Sequence, residues 1–245
     1  MFISLTAVSA QEATVLSDEQ VKERLSFIQN TLVAAQPAAK TWRCGWITAY
    51  AAGTAVQWGL AAAHWDDVKP ATDSANAPKI RDRAFAQDML VGGVTTALGA
   101  AGMLWLDPFI PAFGPKEFRT MPESTPEELR AKLRQAEEVL RRCAQREIDG
   151  RGWRTHLLNI GVNAAAGIVT AVAFDRPWTD GLITFACGEA VSLLNIFSQP
   201  RRAVRDWHDY QVNSMGKSGA YIAGKPKPQW FFGVFPGGFS MRVRF

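Results

Sequence analysis

Glu189 stands in the middle of "LITFACGEAVSLLNIF", Leu182 to Phe197, a stretch that is otherwise almost wholly apolar. Isolated in hydrocarbon, a carboxylate is so costly that it must meet protein, water or a proton. Ser192 lies one helical turn on, on the same face. In the preceding apolar stretch Asn159 and Asn163 are also one turn apart, and the short turn from Asp175 to Asp180 makes the two stretches antiparallel neighbours. Counted back from that turn, Asn163 and Glu189 stand at similar depth. An Asn amide can then donate to the glutamate, with Gln57, Thr95 and Thr96 as further donors from other helices. Two chemistries suit the cluster of Glu189, Asn163, Asn159, Ser192 and Gln57: a proton- or cation-linked site, or a hydrogen-bonded clasp between helices. The clasp is the simpler and carries more weight.

A second group is "RRAVRDWHDY", Arg201 to Tyr210, which follows Pro200 at the end of the same apolar stretch. Arg201, Arg202 and Arg205 are candidates to hold anionic lipid phosphates at headgroup level, although a plain basic anchor explains them more simply. Little else suggests chemistry. Gly216-Lys217-Ser218 resembles the end of a phosphate-binding loop, but Gln211 stands where that loop needs its first glycine and no apolar strand leads in. His64, His156 and His208 have no ligand-spaced partner, and Cys44, Cys143 and Cys187 are far apart and odd in number. Neither a metal, a cofactor nor a catalytic role is expected.

The elements that must position these residues are helices of two kinds. "SDEQ" at Ser17 and "TPEE" at Thr125 are capping boxes, and each opens an apolar stripe: Val21, Leu25, Ile28, Leu32, and Leu129, Leu133, Ala136, Leu140. The two stripes share the spacing four, three, four, so the helices Ser17 to Gln36 and Thr125 to Ile148 are expected to pair. Glu128 with Lys132, Glu137 with Arg141 and Glu138 with Arg142 would lace the solvated face of the second helix.

Four other stretches lack any Lys or Arg: Trp46 to Trp65, Met89 to Leu106, Leu157 to Phe174, and Gly181 to Ser198. Each is about long enough to cross a bilayer core of ~30 Å, and none shows the polar face of a surface helix. Small residues at successive fours mark lines of close packing: Ala51, Ala55, Gly59 and Ala63; Gly93, Ala97 and Ala101; Gly167 and Ala171 after Asn163. Trp42, Trp46, Trp65, Trp105, Trp153 and Trp178 cluster at the ends of the stretches, as interfacial indoles do, with Trp58 as the exception. The fold class expected is all-α: a four-helix transmembrane bundle with two paired extramembrane helices and a small C-terminal β-hairpin. A water-soluble all-α bundle is the alternative.

With four spans, the N-terminal segment, the long connection from Asp107 to Arg154 and the C-terminal tail share one side. That side carries most of the arginines, whereas "DRPWTD" on the other carries only Arg176, so the shared side is expected to be cytoplasmic and the inner membrane is favoured. The opening "MFISLTAVSAQEA" has small residues at Val8-Ser9-Ala10 but no basic start, so residues 1–16 read as a truncated signal or an unordered N-terminus. Residues 17–220 read as one helical membrane bundle and 221–245 as a tail with a hairpin. In that tail Phe239, Met241, Val243 and Phe245 alternate with Ser240, Arg242 and Arg244. The alternation, closing on an aromatic residue, resembles the C-terminal signature of outer-membrane β-barrel proteins and implies an outer-membrane destination as the alternative. It covers fewer than about ten residues, and the repeated strands of a barrel are missing.

The formal charge of +4 lacks the concentrated excess of a nucleic-acid binder, so nucleic acid is not expected as a partner. Expected instead are the lipid bilayer and, through the extramembrane helices, another envelope protein. The expected function is a structural or protein-interaction role in a bacterial-type cell envelope. A small transporter or proton-linked channel using Glu189 is the alternative.

Overall fold

Ser17 caps a helix by accepting the Gln20 N–H at 3.3 Å while its own N–H donates to Gln20 Oε1 at 3.0 Å. From that cap, in the computed structural model, α1 runs unbroken over Asp18–Ala63, past an internal Pro37. Its 46 residues span about 69 Å at 1.5 Å per residue, roughly twice a bilayer core. The residues described are 16–72, 79–106, 110–215, 229–235 and 238–244. The N-terminal signal reading, Gly216-Lys217-Ser218 and Phe245 lie outside them. The chain divides into two units, Val15–His208 and one that contains the C-terminal strands. In the latter β3, Gln229–Phe235, pairs antiparallel with β4, Gly238–Arg244, in a register that sets Phe235 opposite Gly238.

In the first unit a short pair, β1 (Val68–Pro70) and β2 (Lys79–Arg81), follows α1. Next come α2 (Ala84–Ala101), the four-residue α3 (Lys116–Arg119), α4 (Pro126–Asp149), α5 (Trp153–Ile168), α6 (Trp178–Ser198) and α7 (Arg202–Tyr210). Wider π turns extend α2 through Gly102–Leu106 and α5 through Val169–Ala173.

The N-terminal half of α1 packs on α4 as the stripes require, and all eight stripe residues are buried. Arg130 reaches Asp18 at 3.3 Å across the same seam. The charged face of α4 is laced differently from the expectation. Of the acid-first pairs, Glu138 with Arg142 forms, at 3.8 Å. Glu128 is used by the cap, where its Oε2 accepts the Thr125 N–H at 3.1 Å. Lys132 turns inward, buried, to Glu123 at 2.7 Å and the Met121 carbonyl at 3.3 Å. Arg141 folds back one turn to Glu138 at 2.7 Å.

Among the described residues three helices are long and apolar enough to cross a membrane: Ala84–Trp105, Trp153–Ala173, and the apolar part of the helix that begins at Trp178. Leu157, Leu158, Val172, Leu182, Leu194 and Phe197 are exposed on them, an extent of bare apolar surface that water would penalise and lipid would not. Length and composition thus mark three of the four expected spans. The stretch from Trp46 is no separate helix but the C-terminal half of α1, and its Ala, Gly, Thr and Gln dilute its hydropathy below that of the other three.

The packing lines are also only partly as expected. On α5, Asn163, Gly167 and Ala171 are all buried against α6; a Cβ on Gly167 would sit 2.5 Å from the Gly181 carbonyl oxygen, so the two backbones touch there. On α1 the line Ala51, Ala55, Gly59, Ala63 faces outward instead. The face that meets α2 lies beside it and holds Tyr50, Gly53, Thr54, Gln57 and Trp58.

The end of the unit that carries α4 is closed by α7. Glu147, buried in α4, accepts the Val204 N–H at 3.1 Å, and burial pushes its carboxyl up to about 7 from an ordinary 4.5. A folded-state value above the unfolded one means that the folded chain holds a proton which the unfolded chain has released. The contribution of Glu147 to stability is therefore greatest below pH ~4.5, falls as pH rises towards ~7, and is level above. Melting of the detergent-solubilised protein should accordingly occur at a higher temperature at pH 5 than at pH 8, and Glu147→Gln should flatten that difference. A profile unchanged by the substitution would assign the pH dependence elsewhere.

Candidate functional site

The unit's long helices form two antiparallel hairpins. In the first, Tyr50 of α1 lies opposite Gly99 of α2, Gly53 opposite Thr96, Gln57 opposite Gly92 and Trp58 opposite Gly93. Thr54 and Thr96 share a hydroxyl hydrogen bond at 2.9 Å. In the second, Gly167 meets Gly181, Thr170 Oγ1 donates to Thr184 Oγ1 at 3.4 Å, and Asn163 Nδ2 donates to Ser192 Oγ at 3.1 Å. Small residues let each pair of backbones approach, and the hydroxyl and amide bonds fix the register.

Between the hairpins lies a cavity of about 580 Å³, within the range of small-molecule sites. Its wall is apolar with polar groups set into it. Gln57 comes from α1 and Thr95 and Thr96 from α2; α5 supplies Asn159 and Asn163, and α6 supplies Thr184, Ser192 and Asn195. The Thr95 hydroxyl donates to the Gly92 carbonyl of its own helix at 2.8 Å, which leaves its oxygen as an acceptor, whereas Thr184 donates to the Asp180 carbonyl at 3.0 Å and accepts from Thr170. Asn195 Nδ2 reaches Met103 Sδ at 3.8 Å. Gln57 Oε1 is out of solvent with no donor, and the Asn159 amide has no hydrogen-bond partner, both among the described residues.

The expected cluster is thus gathered without its centre. Asn159, Asn163, Ser192 and Gln57 line the cavity; Glu189 does not. The depth match of Asn163 with Glu189 holds along the axis but fails around it. The Asn163 side chain packs on Gly188, whose missing Cβ leaves it room, and Glu189, the next residue, is turned about 100° away. Glu189 is half-buried, and its Oε1 has no hydrogen-bond partner among the described residues. Arg201, Arg202 and Arg205 are exposed, with Arg202 donating to Asp206 at 3.1 Å.

Charge on the cavity wall is confined to its two mouths. At the mouth beside β1 and β2, Arg176 crosses from the α5–α6 connection to α2. Its Nη1 donates to Asp88 Oδ1 at 2.7 Å and to the Ala84 carbonyl at 2.8 Å, while Nε and Nη2 hold Asp180 Oδ2 at 2.9 and 2.6 Å. The guanidinium is largely buried, its side chain 15% exposed. At the other mouth, where Arg146 lines the wall, the Trp42 and Trp46 indoles both donate to Ser198 Oγ, at 3.1 and 2.9 Å, tying α1 to the end of α6. Arg151 caps that end through the Phe197 and Gln199 carbonyls.

Sequence reasoning missed the Arg176 network, Asn195 and Cys187, which also lines the cavity. The available signal was Arg176 itself, the one basic residue of its connection, with acids at Asp88 and Asp180 to receive it. Among the described residues no group of three or more His, Cys, Asp and Glu could hold a metal ion. No known protein family, curated protein or solved structure matches this chain.

The split of the cluster makes unequal demands on its members. Asn163→Leu removes the bond to Ser192 and should lower stability by roughly 0.6–1.7 kcal/mol, the range for interhelical bonds in membranes. Glu189→Gln removes no observed bond and should leave stability unchanged within error. Denaturant titration in mixed micelles measures both; equal losses would mean that Glu189 belongs to the clasp after all.

Proposed function

We propose that this chain is a four-span membrane protein of a bacterial-type envelope whose bundle binds a small molecule in the cavity between its hairpins. The single observation that carries this reading is the cavity itself, walled by four helices and furnished with Gln57 Oε1, which is out of solvent with no hydrogen-bond partner among the described residues. Burying such groups unpaired is costly, and a ligand that meets them recovers that cost. No catalytic role is part of the proposal.

The fourth span rests on geometry rather than composition. If α2 crosses the bilayer, the C-terminal half of α1, antiparallel to it and in contact from Tyr50 to His64, must cross beside it. No Asp, Glu, Lys or Arg occurs between Trp46 and Ala63 to oppose this. The arginine-bearing α4 and α7 then share one side, which the bias of Lys and Arg makes cytoplasmic and which favours an inner membrane. A proton-linked path through Glu189 has less support, because that side chain stands off the cavity wall.

A second reading keeps the structural or interaction role. It is favoured by the unbroken course of α1, which joins the bundle to the α1–α4 pair and would transmit movement between a partner outside the bilayer and the helices within it. The partner would be another envelope protein.

The protein should remain with the bilayer after alkaline carbonate washing. Cysteines introduced for Ser17 and for Asp67, at the two ends of α1, should react with an impermeant label from opposite sides. Release as a folded soluble monomer would overturn the membrane reading, and reaction of both cysteines from one side would reduce the spans to three.

A further inference from the structure

We propose that the cavity takes an uncharged, hydrogen-bonding solute, and that the ties at its two mouths, Arg176 on α2 and the Trp42 and Trp46 indoles on Ser198, are the alternate gates through which that solute enters and leaves. The proposal rests on the reading of the cavity as a binding site.

The class of solute follows from the wall. Between the mouths there are amides, hydroxyls and apolar side chains but no charged group. An ionic solute would lose its hydration there and meet no counter-charge. A purely apolar one would leave the Asn159 amide and Gln57 Oε1 unpaired. A small polyol, amide or similar molecule, which both donates and accepts, satisfies the amides and the Thr95 oxygen together.

The gates follow from where the polar ties lie. Each hairpin is zipped within itself, by Thr54 and Thr96 in one and by Asn163 and Ser192 in the other. Between hairpins the strong ties sit at opposite ends of the cavity, and the long Asn195 contact to Met103 lies near the second mouth. Two stiff bodies joined at both ends open at whichever end is released, a rigid-body movement that leaves each helix intact. The ties differ in strength. Arg176 makes charge-assisted bonds from a largely buried site, whereas the indoles share one neutral hydroxyl oxygen, so the second mouth opens more readily at rest.

Cys187 is a native reporter on the wall. Cys143 is silent, since it is buried with its thiol pushed up to about 12, and Cys44 is removed as Cys44→Ser. The experiment measures Cys187 alkylation by a small impermeant thiol reagent, added from either side of oriented vesicles that hold the full chain. Arg176→Gln should speed labelling from the β1–β2 side by about tenfold, as loss of a charge-assisted tie implies. Arg176→Lys, which keeps the charge, should speed it less and serves if Gln impairs folding. Ser198→Ala should speed labelling from the opposite side alone. Glycerol or acetamide should slow labelling of the Cys44→Ser chain with Arg176 and Ser198 intact, and acetate or methylammonium should not.

Equal effects of Arg176→Gln and Ser198→Ala on both sides, or on neither, would overturn the gates. Protection by the ions but not by the neutral solutes would overturn the solute class. If Cys187 reacts from neither side in any variant, the cavity is closed and dry, and both the gates and the binding reading on which they rest fail.

Discussion

The guanidinium of Arg176 is anchored where two hairpins must be joined and where lipid offers nothing to join them. Apolar side chains gain little by leaving lipid for one another, so association of the hairpins depends on close backbone approach and on polar bonds. Within each hairpin glycine supplies the approach, as between Gly167 and Gly181. Between hairpins the polar bonds are placed at the ends, Arg176 on Asp88 and Ala84 at one and two indoles on Ser198 at the other. The middle is left open, and the cavity is the consequence.

The same separation runs along α1. Its first half meets α4 through a stripe of Val, Leu and Ile, the contact that water enforces. Its second half meets α2 through Gly53, Thr54, Gln57 and Trp58, a contact of close backbones and hydroxyls rather than of a packed aliphatic stripe. One continuous helix therefore carries two packing chemistries, and the change from one to the other near Trp42 falls where the indoles bind Ser198. Glu147, which accepts a backbone N–H at the start of α7, shows what the watery end still requires: a buried polar group with a partner.

How far this was legible in the sequence follows the same division. The paired stripes were readable at every position, because a helix with one face in water must segregate its apolar residues and so advertises its period. In the apolar helices period says little. The outward line Ala51, Ala55, Gly59, Ala63 is as regular as the buried line through Gly167, and only the fold distinguishes them. Depth could be counted from the α5–α6 turn, but rotation could not, which is why Asn163 was matched to Glu189 and met Ser192 instead. Arg176 was visible as a lone basic residue; that it reaches back 88 residues in sequence to Asp88 is a tertiary fact.

The central claim is that a polar cavity runs among helices that elsewhere face lipid. Spin labels at two positions in vesicles test it most directly, one replacing Asn159 on the cavity wall and the other replacing Leu194 on an exposed apolar face. The account predicts that the Asn159 label is relaxed by a water-soluble nickel complex and sheltered from oxygen, with the order reversed at Leu194. An Asn159 label as closed to nickel and as open to oxygen as that at Leu194 would contradict it.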